Sequence, residues 1–354
     1  MFPAKSLTQL LSIQTPLFNA PMVDVFGPHM VAAVSNAGGL GVVPGDLLEP
    51  AELSRFVEQV RSLTDKPFAI ALDVDESPEA SRVSQSFLML LSPLLEELGL
   101  LAQGSDDLPL SVSSVQERFA CAIDMHPQAM IALHGGFREP EADQLSEKGI
   151  VNMAVFTTLR EAKVLRAAGA QALIAQGYEA SGVRCHFEDG PEAGTGLLSL
   201  IPSAVRATGL PIVAWGGLAL PVQAQAVAQL GASGVMLGTG LIDTPESDAD
   251  DVHRYYATYG QMSDTVLTSI FHGKTSRVLR NALFEALAPY ADQIGGHHWQ
   301  RRLMWKLHQR AKQLQRNDLM IREVGTGLGS AHYADVARAI NALMVSKSGD
   351  KVFL

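Results

Sequence analysis

The stretch PIVAWGGLAL, residues 211–220, joins a continuous apolar run to a glycine pair. An unbroken apolar run of this length is typical of a strand that is buried on both faces of a parallel sheet. Gly216 and Gly217 end the run, and the residues that follow, LPVQAQAVAQLGA (220–232), have helical spacing. Glycine costs backbone entropy on folding, so a pair at this point indicates that something requires a main chain without side chains.

The same unit, an apolar run followed by a helical segment, recurs along the chain. Strands that alternate with helices form parallel sheets with right-handed crossovers. Eight units over roughly 250 residues match a (β/α)8 barrel better than an open sheet, so we predict an α/β fold of the TIM-barrel type. The eight predicted strands are residues 16–22, 39–44, 67–74, 129–135, 151–158, 172–177, 211–217 and 234–242.

Two parts of the chain depart from this alternation. Residues 75–128 are too long for one crossover helix, and we expect two helices and a loop there. After residue 243 the alternation ends, and residues 245–330 contain helical patches without convincing strands. We therefore predict a barrel formed by residues 1–244 plus 331–354, with an α-helical cap subdomain (245–330) inserted before the last barrel helix.

Composition and charge narrow the class of protein. The 354 residues are 47% hydrophobic and 18% charged, as expected of a soluble globular chain, and the net charge of −10 argues against a nucleic-acid partner. Cys121 and Cys185 form no disulfide framework, which favours a reducing compartment. No apolar run has the length of a membrane span, and the N-terminus does not read as a signal peptide, so a cytoplasmic location is expected. Cys121 and His126 lack further ligands nearby, and no metal site is predicted.

Glycines also follow the last predicted strand, in Gly238-Thr239-Gly240. In a barrel of this type the carboxyl ends of the strands carry the active site, and the loops after the seventh and eighth strands often bind phosphate. Backbone N–H groups without neighbouring Cβ atoms form a cradle for an anion. The alternative is that both glycine clusters only form tight turns.

Several segments, in order along the chain, resemble the nitronate monooxygenases, a family dependent on flavin mononucleotide (FMN) and formerly called 2-nitropropane dioxygenases. That family shares its fold with flavin-dependent enoyl reductases. The similar segments are NAPMVDVFGPHMVAAVSNAGGLGVV (19–43), AGAQALIAQGYEASG (168–182), VAWGGLA (213–219), GVMLGTGLIDTPES (234–247), IFHGKTSRVLRN (270–281) and VGTGLGS (324–330).

The resemblance implies FMN as the cofactor and assigns residues to it. Ala20, Pro21 and Met22 are expected to line the flavin ring. Gln176 is expected to hydrogen-bond the isoalloxazine or the ribityl chain. The phosphate and its approach are assigned to Gly182, Gly216, Gly217, Gly238 and Thr239. In such enzymes the protein positions and tunes the flavin, while the flavin carries the redox chemistry.

His134 is the predicted catalytic residue. It ends the fourth predicted strand in AMIALHGGF (129–137), close to the Phe-His-Phe-Gly motif in which the family's histidine acts as a base toward neutral nitroalkanes. An imidazole suits this role because its ordinary pKa lies near neutral pH. The alternative is a hydrogen-bonded core histidine. His186 is a second candidate, or else a solvated loop histidine.

Three positions depart from the family pattern. Ala71 stands where the family has Asn, Val183 stands where it has His, and Gly240 stands where it has Arg or Lys. These changes predict fewer hydrogen bonds and less positive charge around the flavin.

The leading hypothesis is an FMN enzyme that oxidises a nitronate or a related carbanion with O2 as acceptor. One alternative is a reductase that uses NAD(P)H on an enone or a quinone. Another is a flavin-binding barrel that serves as a subunit of a larger assembly. The expected partners are a small-molecule substrate and O2, with a homodimer expected only from the frequency of such assemblies.

Overall fold

The structure is a computed structural model that describes residues 6–101, 113–188, 194–330 and 332–344. In chain order, the strands are β1 (Leu17–Asn19), β2 (Gly41–Pro44), β3 (Phe68–Asp73), β4 (Ala129–Leu133), β5 (Val151–Phe156), β6 (Ala172–Gln176), β7 (Gly182–Val183), β8 (Ile212–Trp215), β9 (Gly234–Leu237), β10 (Thr265–Thr268) and β11 (Ser276–Leu279).

Helices alternate with most of these strands. They are α1 (Leu7–Leu11), α2 (Pro28–Asn36), α3 (Pro50–Leu63), α4 (Gln85–Glu97), α5 (Val115–Asp124), α6 (Glu139–Glu147), α7 (Leu159–Ala167), α8 (Leu197–Thr208), α9 (Pro221–Gln229), α10 (Asp251–Tyr259), α11 (Ala282–Leu287), α12 (His297–Gln313) and α13 (Val336–Met344). No helix in the described ranges is long and apolar enough to cross a membrane.

Eight parallel strands form the barrel, in the order β1-β9-β8-β6-β5-β4-β3-β2. Every residue of these strands is buried. Each predicted apolar run contains one of them, so the predicted (β/α)8 fold is confirmed. Since the strands are packed on both faces, polar chemistry is expected at their carboxyl ends and in the loops that follow.

Asn19 closes the barrel where β1 meets β2. Here β1 meets the chain at an isolated parallel bridge between Phe18 and Leu40, the residue just before β2. The Asn19 amide extends this contact, because its Oδ1 accepts from Val42 N at 2.8 Å and its Nδ2 donates to Val42 O at 2.9 Å. A buried side chain thus replaces ladder bonds at the barrel's seam.

The 75–128 segment holds α4 and α5, as predicted, and the loop between them falls largely in residues 102–112, outside the described residues. The predicted last barrel helix is confirmed as α13, which packs against α2 and α9. The division into a barrel and a cap at 245–330 stays a prediction.

The expectation that residues 245–330 contain no strands was wrong. β10 and β11 lie within that range and pair antiparallel, and β11 also pairs with β7 from the loop after β6. Each strand has only four residues, too few for a period-two pattern to stand out in the sequence. A second hydrophobic cluster joins this part of the chain to α4, through residues that include Phe87, Leu91, Phe271 and Leu303.

The seam generates a stability prediction. Asn19→Ala leaves the buried N–H and C=O of Val42 without their partner, and each unsatisfied buried group costs about 1–3 kcal/mol. We expect a clear drop in the urea unfolding midpoint. Asn36→Ala is the matched control, because exposed Asn36 donates to Leu63 O on the outside of the barrel. Equal midpoints for the two variants would contradict the role given to Asn19.

Candidate active site at the carboxyl edge of the barrel

The two glycine clusters line one recess, as the sequence predicted. The recess is bounded by residues from four loops and from the ends of two strands: Ser181, Trp215, Gly216, Gly217, Leu218, Met236, Gly238, Thr239, Gly325 and Gly327. All of these side chains are uncharged, so the recess places no negative charge against an incoming anion. We call this group of residues the glycine cradle.

Gly216 and Gly217 both adopt positive φ angles, of 138° and 65°. A Cβ on Gly216 would come within 3.0 Å of Ala180 N, and one on Gly217 within 2.4 Å of Thr326 Oγ1. Glycine is therefore required after β8 because the loop after β6 and residues 325–327 leave no room for a Cβ atom. The same crowding keeps side chains out of the cradle.

Thr239 and Gly238 hold the far side of the cradle. The Thr239 hydroxyl oxygen accepts from Gly325 N at 2.8 Å, which fixes the 324–330 segment against β9. A Cβ on Gly238 would lie 3.1 Å from Ser181 Oγ and 3.2 Å from Met22 Sδ. The VGTGLGS segment thus completes the cradle from a position far along the chain.

A second cavity adjoins the cradle and shares Ser181 and Trp215 with it. Its other lining residues are Pro21, Met22, Leu133, His134, Gly182, Val183, Cys185, Arg301 and Glu323. The predicted ring-lining residues Pro21 and Met22 and the predicted base His134 are thereby brought together. Ala20 lies next to them, fully buried, with its N–H donating to Leu237 O at 2.7 Å. We call this second space the histidine cavity.

Both ends of the Gln176 amide are hydrogen-bonded to main-chain atoms of the protein. Its Nε2 donates to Val183 O at 2.9 Å, and its Oε1 accepts from Cys185 N at 2.7 Å. Gln176 therefore fixes the loop that carries Gly182, whose φ is 68° and whose Cβ would come within 2.5 Å of Glu323 Oε2. The structure places Gln176 at the end of β6, where it supports the cavity wall from behind.

His134 lies at the end of β4 with its side chain buried. Its φ of 55° is in the left-handed region, which is uncommon outside glycine and which here turns the residue away from the strand direction. Nδ1 lies 3.1 Å from Asp73 Oδ2, yet both ring nitrogens lack a properly aligned hydrogen-bond partner among the described residues. The alternative of a fully hydrogen-bonded core histidine does not describe this arrangement.

Asp73, the last residue of β3, gathers three histidines. His297 Nε2 lies 3.1 Å and His298 Nε2 lies 3.2 Å from the same Oδ2 that faces His134. Burial alone would raise the pKa of the Asp73 carboxyl, but His134, His297 and His298 hold it well below its usual range. Burial lowers the pKa of His134 to about 4, against the opposing effect of Asp73. At neutral pH the pair is an ionised carboxylate beside a neutral imidazole.

Sequence reasoning missed Asp73 for a specific reason. The family pattern draws attention to Ala71, whereas Asp73 lies two residues further on, on the same face of β3. His297 and His298 are recognisable in the sequence as a His-His pair. Nothing in the local sequence predicts that they contact Asp73, which lies 224 and 225 positions earlier in the chain.

Arg301 was also missed, and it supplies a cation to the histidine cavity. Its guanidinium pairs with buried Asp46, and its Nε is buried without a hydrogen-bond partner among the described residues. Burial lowers the pKa of Arg301 to about 10, so the group stays positive at neutral pH. Arg301 therefore brings a positive side chain from α12 to a cavity that the carboxylate of Glu323 also lines.

His186 and Glu179 have structural contacts. His186 Nδ1 lies 3.0 Å from Glu161 Oε1, a buried carboxylate that also caps the start of α7. Glu179 accepts from Leu197 N at 3.1 Å, at the first residue of α8. Glu179 therefore caps the start of α8.

The barrel, the glycine cradle and the buried Asp–His cluster at its carboxyl edge define an enzyme of the (β/α)8-barrel class. A sequence profile of the nitronate monooxygenase family matches residues 4–344, and the chain belongs to that family. It is accordingly an oxidoreductase.

Individual relatives agree with this assignment. The chain is 35% identical over 296 residues to a nitronate monooxygenase of Pseudomonas aeruginosa, covering 80% of this chain and 82% of that protein. It is 29% identical over 329 residues to a probable nitronate monooxygenase of Staphylococcus aureus, covering 90% of each. Among solved structures, the nitroalkane oxidase from Streptomyces ansochromogenes has a TM-score of 0.83 at 28% identity, covering 96% of both chains. FabK from Thermotoga maritima, at 23% identity and a TM-score of 0.72, shares the fold.

The site also generates a prediction about its cysteine. Burial raises the pKa of the Cys185 thiol to about 12, so it stays protonated and unreactive near neutral pH. We expect one thiol at most, half-buried Cys121, to react with a thiol reagent in the native protein, and two after denaturation. Cys185→Ser is expected to leave the native reactivity unchanged. Rapid native labelling that disappears in Cys185→Ser would contradict this assignment.

Proposed function

We propose that this protein is an FMN-dependent enzyme that oxidises alkyl nitronates, and nitroalkanes after deprotonation, with O2 as the electron acceptor. The observation that carries the proposal is the continuity of two spaces: the glycine cradle and the histidine cavity share Ser181 and Trp215. A ligand with a phosphate at one end and a redox-active ring at the other suits this pair of spaces. Family membership supports a flavin as that ligand.

The residues present fit FMN on physical grounds. The cradle is uncharged and lacks room for Cβ atoms at Gly216 and Gly217, so main-chain atoms can approach a phosphate closely. Pro21 and Met22 offer an apolar surface to a flavin ring. Arg301 Nε is a buried donor without a partner in the described chain, and a polar ring edge or a nitro group would satisfy it.

When bound, the flavin would take electrons from the substrate carbon and pass them on to O2. The chain's own part in the reaction is the handling of protons and charge. His134 would remove the α-proton from a neutral nitroalkane, and Asp73 would hold the imidazole in place and stabilise the imidazolium that forms. Arg301 would balance the negative charge that develops on the nitro group. A substrate that arrives already ionised needs no base.

The role of His134 is tested by one substitution on two substrates. For His134→Asn we expect turnover of a neutral nitroalkane to fall by about 10²–10⁴-fold, the usual contribution of a positioned base. Turnover of the pre-ionised nitronate should change by less than about tenfold. Exposed His29 provides the matched control His29→Asn, which should leave both rates unchanged. An equal loss on both substrates would remove His134 as the base.

The assignment of the phosphate to the glycine cradle is tested by two substitutions of equal size that differ only in charge. Ser181→Asp places a carboxylate in the cradle, whereas Ser181→Asn places a neutral group of the same shape there. Like-charge repulsion at about 4 Å is worth 1 kcal/mol or more outside bulk water, so we expect Ser181→Asp to bind FMN at least tenfold more weakly than Ser181→Asn. The readouts are the flavin-to-protein ratio after dialysis and the dissociation constant from flavin fluorescence. Equal affinity in the two variants would place the phosphate elsewhere.

A further inference from the structure

We infer that Asp73, His297 and His298 form a binding site for a divalent transition metal, with Zn²⁺ as the best-suited ion. The three ligand atoms, Asp73 Oδ2 and the two Nε2 atoms, all lie within 4.8 Å of one another. The site goes beyond the proposed oxidation of nitronates, and it does not depend on that proposal. It also departs from the expectation, made from sequence, that the chain has no metal site.

The distances between the ligand atoms match those around a zinc ion. Bonds of about 2.0–2.1 Å in a tetrahedral arrangement separate neighbouring ligand atoms by about 3.3 Å. The Asp73 Oδ2 atom lies 3.1 Å from His297 Nε2 and 3.2 Å from His298 Nε2. One carboxylate and two imidazoles are also a ligand set that zinc accepts, with a remaining position open.

The hydrogen bonds of His297 set its tautomer. Its Nδ1 lies 2.6 Å from the main-chain oxygen of His272, and a carbonyl can only accept, so Nδ1 carries a proton. The other ring nitrogen, Nε2, lies 3.1 Å from Asp73 Oδ2, on the side where His298 Nε2 also converges. A histidine fixed by Nδ1–H···O=C, with Nε2 directed at other candidate ligand atoms, is the usual arrangement of a metal-ligating imidazole.

The orientation of the Asp73 carboxylate also suits a metal ligand. Its Oδ1 accepts from Asp75 N at 3.0 Å, which fixes the group and turns Oδ2 toward the histidines. Oδ2 then has three imidazole nitrogens around it, His134 Nδ1 included, and this exceeds the two lone pairs that it can offer to donors.

His134 provides the independent observation. It is buried, its Nδ1 is directed at the same carboxylate oxygen, and neither ring nitrogen has an aligned hydrogen-bond partner in the described ranges. An unpartnered imidazole beside three converging ligand atoms indicates a missing cation. The ion would also tie β3 of the barrel to α12, which covers the histidine cavity.

Zinc binding is measured on the full chain, without turnover, by competition with a chromophoric chelator and by metal analysis after dialysis. The wild type is expected to hold one Zn²⁺ per chain, and His298→Gln to bind it at least tenfold more weakly. His298 is the ligand of choice because it is only partly buried, so its loss disturbs packing least. His29→Gln, at an exposed histidine, is expected to bind like the wild type.

If His298→Gln is less stable than the wild type, the effect of Zn²⁺ on each protein's own thermal unfolding midpoint still distinguishes the outcomes. Added Zn²⁺ should raise the unfolding midpoint of the wild type and of His29→Gln, but not that of His298→Gln, because a ligand stabilises only the state that binds it. Zinc affinity that is the same in His298→Gln and the wild type would overturn the inference, as would a wild type that holds no zinc at micromolar concentrations. Both readouts are taken without substrate, so failure of the zinc site is distinguishable from failure of the proposed nitronate oxidation.

Discussion

A single buried carboxylate, that of Asp73, organises the edge of the barrel at which the chemistry is expected. An ionised group that is almost completely buried must be compensated by its neighbours. Its neighbours are His134, directly after β4, and His297 and His298 of α12. Because β3 and β4 belong to the barrel and α12 follows it in the chain, the electrostatic requirement of one side chain also holds the start of α12 against the barrel edge.

The glycines after β8 and β9 illustrate how one feature meets two requirements. Gly216 and Gly217 are crowded by the loop after β6 and by the segment that contains Thr326, so folding alone forbids side chains there. The result of that crowding is a recess bounded by main chain, which is the surface an anion needs. The explanations in terms of a tight turn and of a binding cradle are therefore compatible, and the cradle is a consequence of how the turn is packed.

Much of this could be predicted from sequence, and the limits have physical causes. The barrel was predictable because each strand is buried on both faces and reads as an unbroken apolar run. The short strands β10 and β11 carried no such signal. The placement of Pro21, Met22, His134 and the glycines at the barrel edge was predictable because each lies within a few residues of a strand end. Asp73 and Arg301 were not, since their roles arise from contacts with residues far away in the chain. Gln176 was found at the right place, but its amide is already bonded to Val183 and Cys185.

The most direct test of the central claim is anaerobic mixing of the purified holoprotein with an alkyl nitronate, followed by the visible absorbance of the flavin, with NADPH added in a separate experiment. The account predicts rapid loss of flavin absorbance with the nitronate, its recovery when O2 is admitted, and little change with NADPH. Rapid reduction by NADPH with no response to the nitronate would contradict the account and would identify the protein as a reductase built on the same barrel.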